Sequence, residues 1–188
     1  GKSPKPIDLF GYSQFVKKHS DVIYQYLTCD VIGDHVQTAR NTAYLEREVG
    51  RRPIPIFHVQ NSLDVLEGII SEDHDVIAIG GSVFVSRKRR AQVFSEIFKR
   101  FENRANFHAL GLGATDTLLR HPWFSADASS WLNGRIFRKL ITLTGDVMAP
   151  RWMTSEDALG FNVRSLAVLE DRYEDLQMNT ELLAPALI

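Results

Sequence analysis

Segments typical of buried strands alternate along this chain with segments typical of helices. Apolar runs such as IPIFHV, DVIAIGG and NFHALGLG are each followed by a stretch with helical spacing, of which SRKRRAQVFSEIFKRFENR is the clearest. Strands that alternate with helices pair in parallel, because each helix carries the chain back to the edge where the strand began. A repeat of roughly 25 to 30 residues is typical of a (β/α)8 barrel or of a doubly wound sheet. The alternation therefore predicts an α/β fold.

Individual segments predict where these elements lie. Helices are expected over residues 8–21, 38–50, 62–73, 86–104 and 115–121, and strands over 22–30, 54–59, 75–81, 106–113, 123–130 and 141–146. Gly50 would end the second helix and Thr115 would open the fifth. Phe10, Phe15 and Val16 are expected on the apolar side of the first helix. From about residue 154 the chain reads as helical.

Polar residues or glycines stand at the end of nearly every predicted strand. They are Asp30, His58 with Gln60, Gly80 with Gly81, His108 with Gly111 and Gly113, and Asp127. A barrel collects its site from the ends of many strands, whereas an open sheet concentrates it at one switch point. We therefore expect a single (β/α)8 TIM-barrel domain over residues 1–188. A full barrel needs about 250 residues and eight strands, so its first strands are expected to be missing from this chain and supplied by preceding sequence or another polypeptide.

Charge and cysteine content exclude several classes of protein. The 22 Lys and Arg residues nearly balance the 23 Asp and Glu residues, so any nucleic-acid surface would have to be local. The single cysteine, Cys29, excludes an intramolecular disulfide and any multi-cysteine zinc site. No apolar run approaches the roughly 20 residues that a membrane span needs. We expect a cytoplasmic protein in a reducing setting.

Asp30 and Asp127 are the strongest candidates for catalytic carboxylates. Each ends a predicted strand, where a carboxylate is partly buried, as functional groups often are, but still contacts enough solvent to ionise. The alternative is that each caps a turn, Asp30 within CDVIGD and Asp127 ahead of SSWLNG. Gly80 and Gly81 would let the backbone pass close to a ligand, although such a pair is also common in tight turns.

His58 and His108 also stand at strand ends. Together with Asp127 they form an alternative metal site, since barrel hydrolases hold zinc or iron with imidazole and carboxylate ligands from separate strands. The competing interpretation is that each histidine is a hydrogen-bonding core residue. Four cations begin the fourth helix: Arg87, Lys88, Arg89 and Arg90. They form either a solvated basic face or a set of positioning contacts to phosphate.

Five segments, taken in order, resemble the tRNA-guanine (queuine) transglycosylases and their phage and bacterial DNA-modifying relatives. VIYQYLTCD is similar to that family's strand ending in a base-binding Asp, IPIFHVQN to its GIVQGG, and VIAIGGSV to its AIGGLAVGE. HALGLGATDTLL resembles YLMGVGTPEDLL, and WFSADASSW falls where the family has DMFDCVMPTR. The similarity spans about residues 22 to 131. The family's DSGGFQ segment would precede residue 1, its Cys-rich zinc site is absent, and SSW replaces PTR, which is closer to the phage and bacterial relatives.

This resemblance implies a transferase that exchanges guanine for a 7-deazaguanine base in tRNA or DNA and needs no cofactor. Asp127 falls on the nucleophile, with Asp30 as the second catalytic carboxylate. The base-binding set falls on Asp30, Gln60, Gly80, Gly81, Gly111 and Gly113. Two other hypotheses stand beside it: a metal-dependent barrel hydrolase, and a non-catalytic barrel fragment that acts as a structural or binding module.

Overall fold

The computed structural model describes residues 7–113, 116–142 and 145–171. Its helices are α1 (Leu9–Lys18), α2 (His35–Val49), α3 (Leu63–Ser71), α4 (Arg87–Phe101), α5 (Asp116–Leu119), α6 (Asn133–Phe137) and α7 (Ser155–Asp171). Its strands are β1 (Ile56–His58), β2 (Ile77–Gly80), β3 (Phe107–Ala109), β4 (Ser125–Ala126), β5 (Lys139–Thr142) and β6 (Gly145–Met148). Short 3₁₀ turns cover Ser82–Phe84 and Ser130–Leu132.

The chain divides into two compact units. The first holds the described residues up to Val85 together with Asn103–Phe107, so it ends on the first residue of β3. The second holds Ser86–Glu102 and the described residues from His108 onward.

Two buried parallel strands form the centre of the first unit. β1 pairs with β2 in the register that sets Ile56 beside Ala78 and His58 beside Gly80. Every residue of both strands is buried, as expected of parallel strands that are covered on both faces. A second apolar cluster forms around α1 and α2 and contains Val16, Tyr26, Cys29 and Leu45.

Short polar side chains and glycines fix the ends of the helices in this unit. The Asp34 side chain accepts a hydrogen bond of 2.8 Å from the Gln37 backbone N–H and so caps α2. Gly50 ends the same helix in the left-handed conformation, with φ of 78°, as the sequence predicts. The end of α2 is therefore as predicted, whereas its start lies at His35 and not at residue 38.

Aromatic packing dominates the core of the second unit. One face of α4 is buried and places Phe94 and Phe98 against His121 and Trp123, with the Phe98 and His121 rings stacked 4.9 Å apart. Burial lowers the pKa of His121 to about 4, and the nearby Arg120 adds to this effect. Ser86 caps α4 by accepting from the Arg89 N–H.

A buried asparagine joins α7 to the antiparallel hairpin of β5 and β6 in the second unit. Asn162 is fully buried, and its Oδ1 accepts from the Ile141 N–H of β5 at 2.8 Å. Its Nδ2 donates to the carbonyl oxygens of Lys139 and Trp131. All its polar atoms are therefore satisfied, as a buried amide requires.

The α/β class with parallel strand pairing is confirmed, because β1 with β2 and β3 with β4 are parallel. Two details of the prediction are wrong. Residues 22–30 are no continuous strand: within them only Leu27 forms a parallel bridge, with Ile54. The described residues of the range 141–146 do lie in strands, β5 and β6, but these two strands pair antiparallel as a hairpin and not in parallel.

Side-chain exposure corrects one further expectation. Phe10 and Phe15 are both more than half exposed, so their expected burial is wrong, whereas the expected burial of Val16 is confirmed. Ser13 is buried as well. Thr115, expected to open the fifth helix, lies outside the described residues. None of the helices in the described part of the chain combines the length and apolar character that a bilayer span requires.

Candidate active site

A buried histidine holds Asp30 in the first unit. His58 ends β1 with its side chain only 5% exposed, and its Nε2 lies 2.7 Å from Asp30 Oδ2. This hydrogen bond holds the pKa of Asp30 below its ordinary value of 3.8, although partial burial of the carboxyl acts in the opposite direction. Asp30 is therefore an ionised hydrogen-bond acceptor whose orientation is fixed from the core side.

Gln60 and Gly81 form a second contact at the ends of the same two strands. Gln60 Nε2 donates to the Gly81 carbonyl oxygen at 2.8 Å. Gly81 has φ of 74°, and a Cβ at this position would collide with the Gln60 carboxamide oxygen. Gly80 remains part of the ladder, where its carbonyl oxygen accepts from the Val59 N–H at 3.1 Å. The backbone conformation at position 81 thus favours glycine, and a Cβ there would displace the Gln60 side chain.

Asp127 follows β4 in the second unit, and one of its two carboxylate oxygens is held. Oδ1 accepts a hydrogen bond of 2.8 Å from the Gly111 N–H, and His108 Nε2 lies 3.3 Å from the same oxygen. The Asp127 backbone N–H donates to the Ala109 carbonyl oxygen at 3.1 Å, which fixes the residue against β3. The Asp127 side chain nevertheless remains 58% exposed, so a ligand can reach it.

The other nitrogen of His108 is bound as well. His108 Nδ1 lies 2.9 Å from the Ser125 hydroxyl oxygen, in a pair set by the parallel register of β3 and β4. Ser125 and Asp127 are two residues apart, so an extended segment presents them on the same face. Ser125 was not among the residues chosen from the sequence. The sequence did contain a pattern that indicates Ser125, because alternation along SAD (residues 125–127) places it on the same face as Asp127. The small residues around Ser125 hide this pattern.

A cavity of about 570 Å³ opens beside this group in the second unit. Asp127, Ser125 and Gly113 line it together with apolar side chains that include Trp123 and Leu166. This size falls within the roughly 300 to 1,000 Å³ that small-molecule sites occupy, and such sites are mostly apolar with a few placed polar groups. The cavity therefore has the size and lining of a small-molecule site, with Asp127 among its few polar groups.

The four cations at the start of α4 lie in the second unit. Arg87, Lys88 and Arg89 are exposed and Arg90 is partly buried. A helix N-terminus is an unfavourable place for positive charge, by roughly 0.3 to 1 kcal/mol for each cation. Exposed cations in such a place are consistent with contacts to an anionic partner.

The structure shows contacts for the residues whose roles the sequence left open. Asp34 caps α2, and the Asp127 carboxylate accepts from the Gly111 N–H. His58 hydrogen-bonds to Asp30 and His108 to Ser125, as hydrogen-bonding histidines would. Across residues 7–113, 116–142 and 145–171, no group of three His, Cys, Asp or Glu side chains could hold a metal ion, so the metal-hydrolase hypothesis gains no support.

The predicted site residues fall into both units. Asp30, His58, Gln60, Gly80 and Gly81 belong to the first, whereas the second contains His108, Gly111, Gly113, Asp127 and the four cations. Within each unit the structure brings together an aspartate and a histidine that are distant in sequence.

Comparison of the chain with protein-family models finds no match, and a search among curated proteins finds none either.

Proposed function

We propose that this protein exchanges guanine for a 7-deazaguanine base in nucleic acid, either tRNA or DNA, with Asp127 as the nucleophile. The observation that carries the proposal is the state of Asp127: an exposed carboxylate at a cavity, with one oxygen hydrogen-bonded to the Gly111 N–H. We propose further that the parallel strands belong to a (β/α)8 barrel, which is supported by the functional side chains that follow β1, β2 and β4.

Base exchange at a nucleoside requires a carboxylate of this kind. The carboxylate oxygen bonds to the anomeric carbon while the bond from that carbon to the purine nitrogen breaks, and its electron pair leaves with guanine. The incoming base then displaces the carboxylate at the same carbon. The proton that guanine gains is matched by the one that the incoming base loses, so the exchange is balanced and needs no cofactor.

The first unit supplies groups suited to the edge of a purine. Asp30 is kept ionised by His58, so it can accept N–H hydrogen bonds from the base. The carboxamide of Gln60 can both donate and accept, and the Gly81 carbonyl that it now contacts is a further acceptor. Carboxylate, amide and backbone acceptors are the groups that read a base by its hydrogen-bonding edge.

The cations of α4 supply the sequence-independent part of binding. In this proposal Arg87, Lys88, Arg89 and Arg90 contact backbone phosphates and position the strand without reading its bases. A net charge of -1 for the whole chain makes such a local cluster necessary for binding a polyanion.

A second candidate function comes from the array of Ser125, His108 and Asp127, which contains the residue types of a serine hydrolase triad. In such triads the aspartate is buried and only orients the histidine. Asp127 is instead 58% exposed and lines the cavity, which favours a direct chemical role for its carboxylate.

Labelled guanine incorporation into tRNA and into duplex DNA tests the proposal. Asp127→Asn keeps the size of the side chain and its capacity to hydrogen bond but removes the charge that forms the covalent bond. We expect incorporation to fall by at least about 1,000-fold, because the covalent route is lost and not merely weakened. Binding of 7-deazaguanine should survive, because the groups assigned to the base are unchanged.

A control variant at Ser125 distinguishes the two candidate functions. Ser125→Ala should retain most of the incorporation if Asp127 is the nucleophile, and should abolish ester hydrolysis if the triad is the active group. Undiminished incorporation by the Asp127→Asn variant would remove Asp127 from the mechanism. Absence of incorporation by the unmodified protein would favour the non-catalytic binding module.

A further inference from the structure

The two oxygens of Asp127 have different surroundings. Oδ1 receives the Gly111 N–H at 2.8 Å and has His108 Nε2 at 3.3 Å. In the described part of the chain the structure shows no such donor to Oδ2. From this asymmetry, and on the basis of the proposed function, we infer that His108 is a positioning residue that holds Oδ1 so that Oδ2 is the attacking oxygen.

The ring of His108 is itself restrained at both nitrogens. Ser125 Oγ lies 2.9 Å from Nδ1, and Asp127 Oδ1 lies 3.3 Å from Nε2. A neutral imidazole carries one N–H, and a carboxylate can only accept. We infer the arrangement in which the proton is on Nε2, facing Asp127, and the Ser125 hydroxyl donates to Nδ1. Ser125 thus selects the tautomer that presents a donor to the carboxylate.

Fixing one oxygen has a direct effect on the attack. A free carboxylate rotates about its Cβ–Cγ bond and presents either oxygen at varying angles, whereas attack needs one lone pair aimed at the anomeric carbon. Two contacts to Oδ1 remove that rotation. In the step, an Oδ2 lone pair forms the bond to the anomeric carbon and the electrons of the carbon–purine bond leave with guanine. His108 gives up no proton in this step.

Steady-state kinetics of base exchange separate positioning from general structural support. His108→Leu removes the donor, and we expect kcat to fall about 10- to 100-fold, with the KM for the incoming base changed less than about twofold. His108→Gln places an amide N–H near the position of Nε2 and should restore most of kcat. Ser125→Ala should cause a smaller loss. The matched control is His35→Leu, since His35 is exposed at the start of α2 and should leave kcat unchanged.

Nitrogen-15 NMR of the His108 ring tests the geometry independently of activity. We expect the neutral tautomer protonated on Nε2, and a shift of its signals in both Ser125→Ala and Asp127→Asn. An Nδ1-protonated ring would overturn the inference. So would a His108→Leu variant with normal kcat, or a His108→Gln variant as impaired as His108→Leu. If Asp127→Asn retains exchange, the proposed function fails and this inference fails with it. Loss in Asp127→Asn but not in His108→Leu overturns the inference alone.

Discussion

Each unit contains one histidine–aspartate pair close to a strand end, and the two pairs differ in burial. In the first unit His58 is 5% exposed and lies 2.7 Å from an Asp30 that is 27% exposed. In the second unit His108 is 17% exposed and lies 3.3 Å from an Asp127 that is 58% exposed. The same residue types therefore occur once as a tight, sheltered pair and once as a looser pair open to the cavity.

In the proposed function, this difference assigns base binding to Asp30 and the chemical step to Asp127. An ionised carboxylate that is partly buried and held by a fixed partner is a good acceptor for the N–H groups of one ligand. Its side chain is already ordered, so little conformational entropy is lost when the ligand binds. A nucleophile must instead be reachable and must keep one oxygen without a partner. Residue identity alone does not distinguish these roles, whereas the surroundings of each carboxylate do.

The largest expected difference between the pairs is in stability. His58→Leu removes a charge-assisted hydrogen bond in a mostly buried setting, and we expect it to lower the free energy of unfolding by about 2 to 3 kcal/mol. His108→Leu breaks a longer contact to an exposed carboxylate and should cost less than about 1 kcal/mol. Urea unfolding of both variants beside the unmodified protein measures the two values. Equal losses would show that the two pairs do not differ as described.

A smaller difference is expected at the two glycines that accompany the pairs. Gly81 and Gly111 have φ of 74° and 68°, so alanine at either position costs about 1 to 2 kcal/mol of backbone strain. A Cβ at Gly111 meets no atom within 4 Å, whereas one at Gly81 displaces the Gln60 carboxamide. We expect Gly81→Ala to be the more destabilising by about 1 kcal/mol, from the lost Gln60 hydrogen bond. Urea unfolding measures the difference, and identical values would mean that this hydrogen bond contributes nothing.

Elements that depend on neighbouring residues could be predicted from the sequence. The spacing of apolar residues predicted α2 and α4, and Gly50 predicted the end of α2, because periodicity and caps are local properties. The helix Ser155–Asp171 likewise lies in the segment that reads as helical. The strand predicted over residues 22–30 was wrong, because an apolar, β-branched stretch forms a strand only where a partner strand is in register. Within this stretch only Leu27 has such a partner.

The pairing of the site residues could not be predicted in the same way. His58 and His108 were identified as strand-end residues, but their partners depend on which segments lie side by side. Asp30 and His58 are 28 residues apart, and Ser125 contacts His108 only because β3 and β4 are paired in parallel. A metal site and two histidine–aspartate pairs contain the same residue types, so only the three-dimensional arrangement distinguishes them.

Capture of the covalent intermediate tests the central claim most directly. The protein is incubated with substrate nucleic acid and no incoming base, quenched in acid, digested with nuclease and trypsin, and analysed by mass spectrometry. Cleavage after Arg120 and Arg135 yields residues 121–135, a peptide that contains both Ser125 and Asp127. We predict a glycosyl adduct on Asp127 that disappears when 7-deazaguanine is added and never forms in Asp127→Asn. An adduct on Ser125, or base exchange without any adduct on this peptide, would contradict the account.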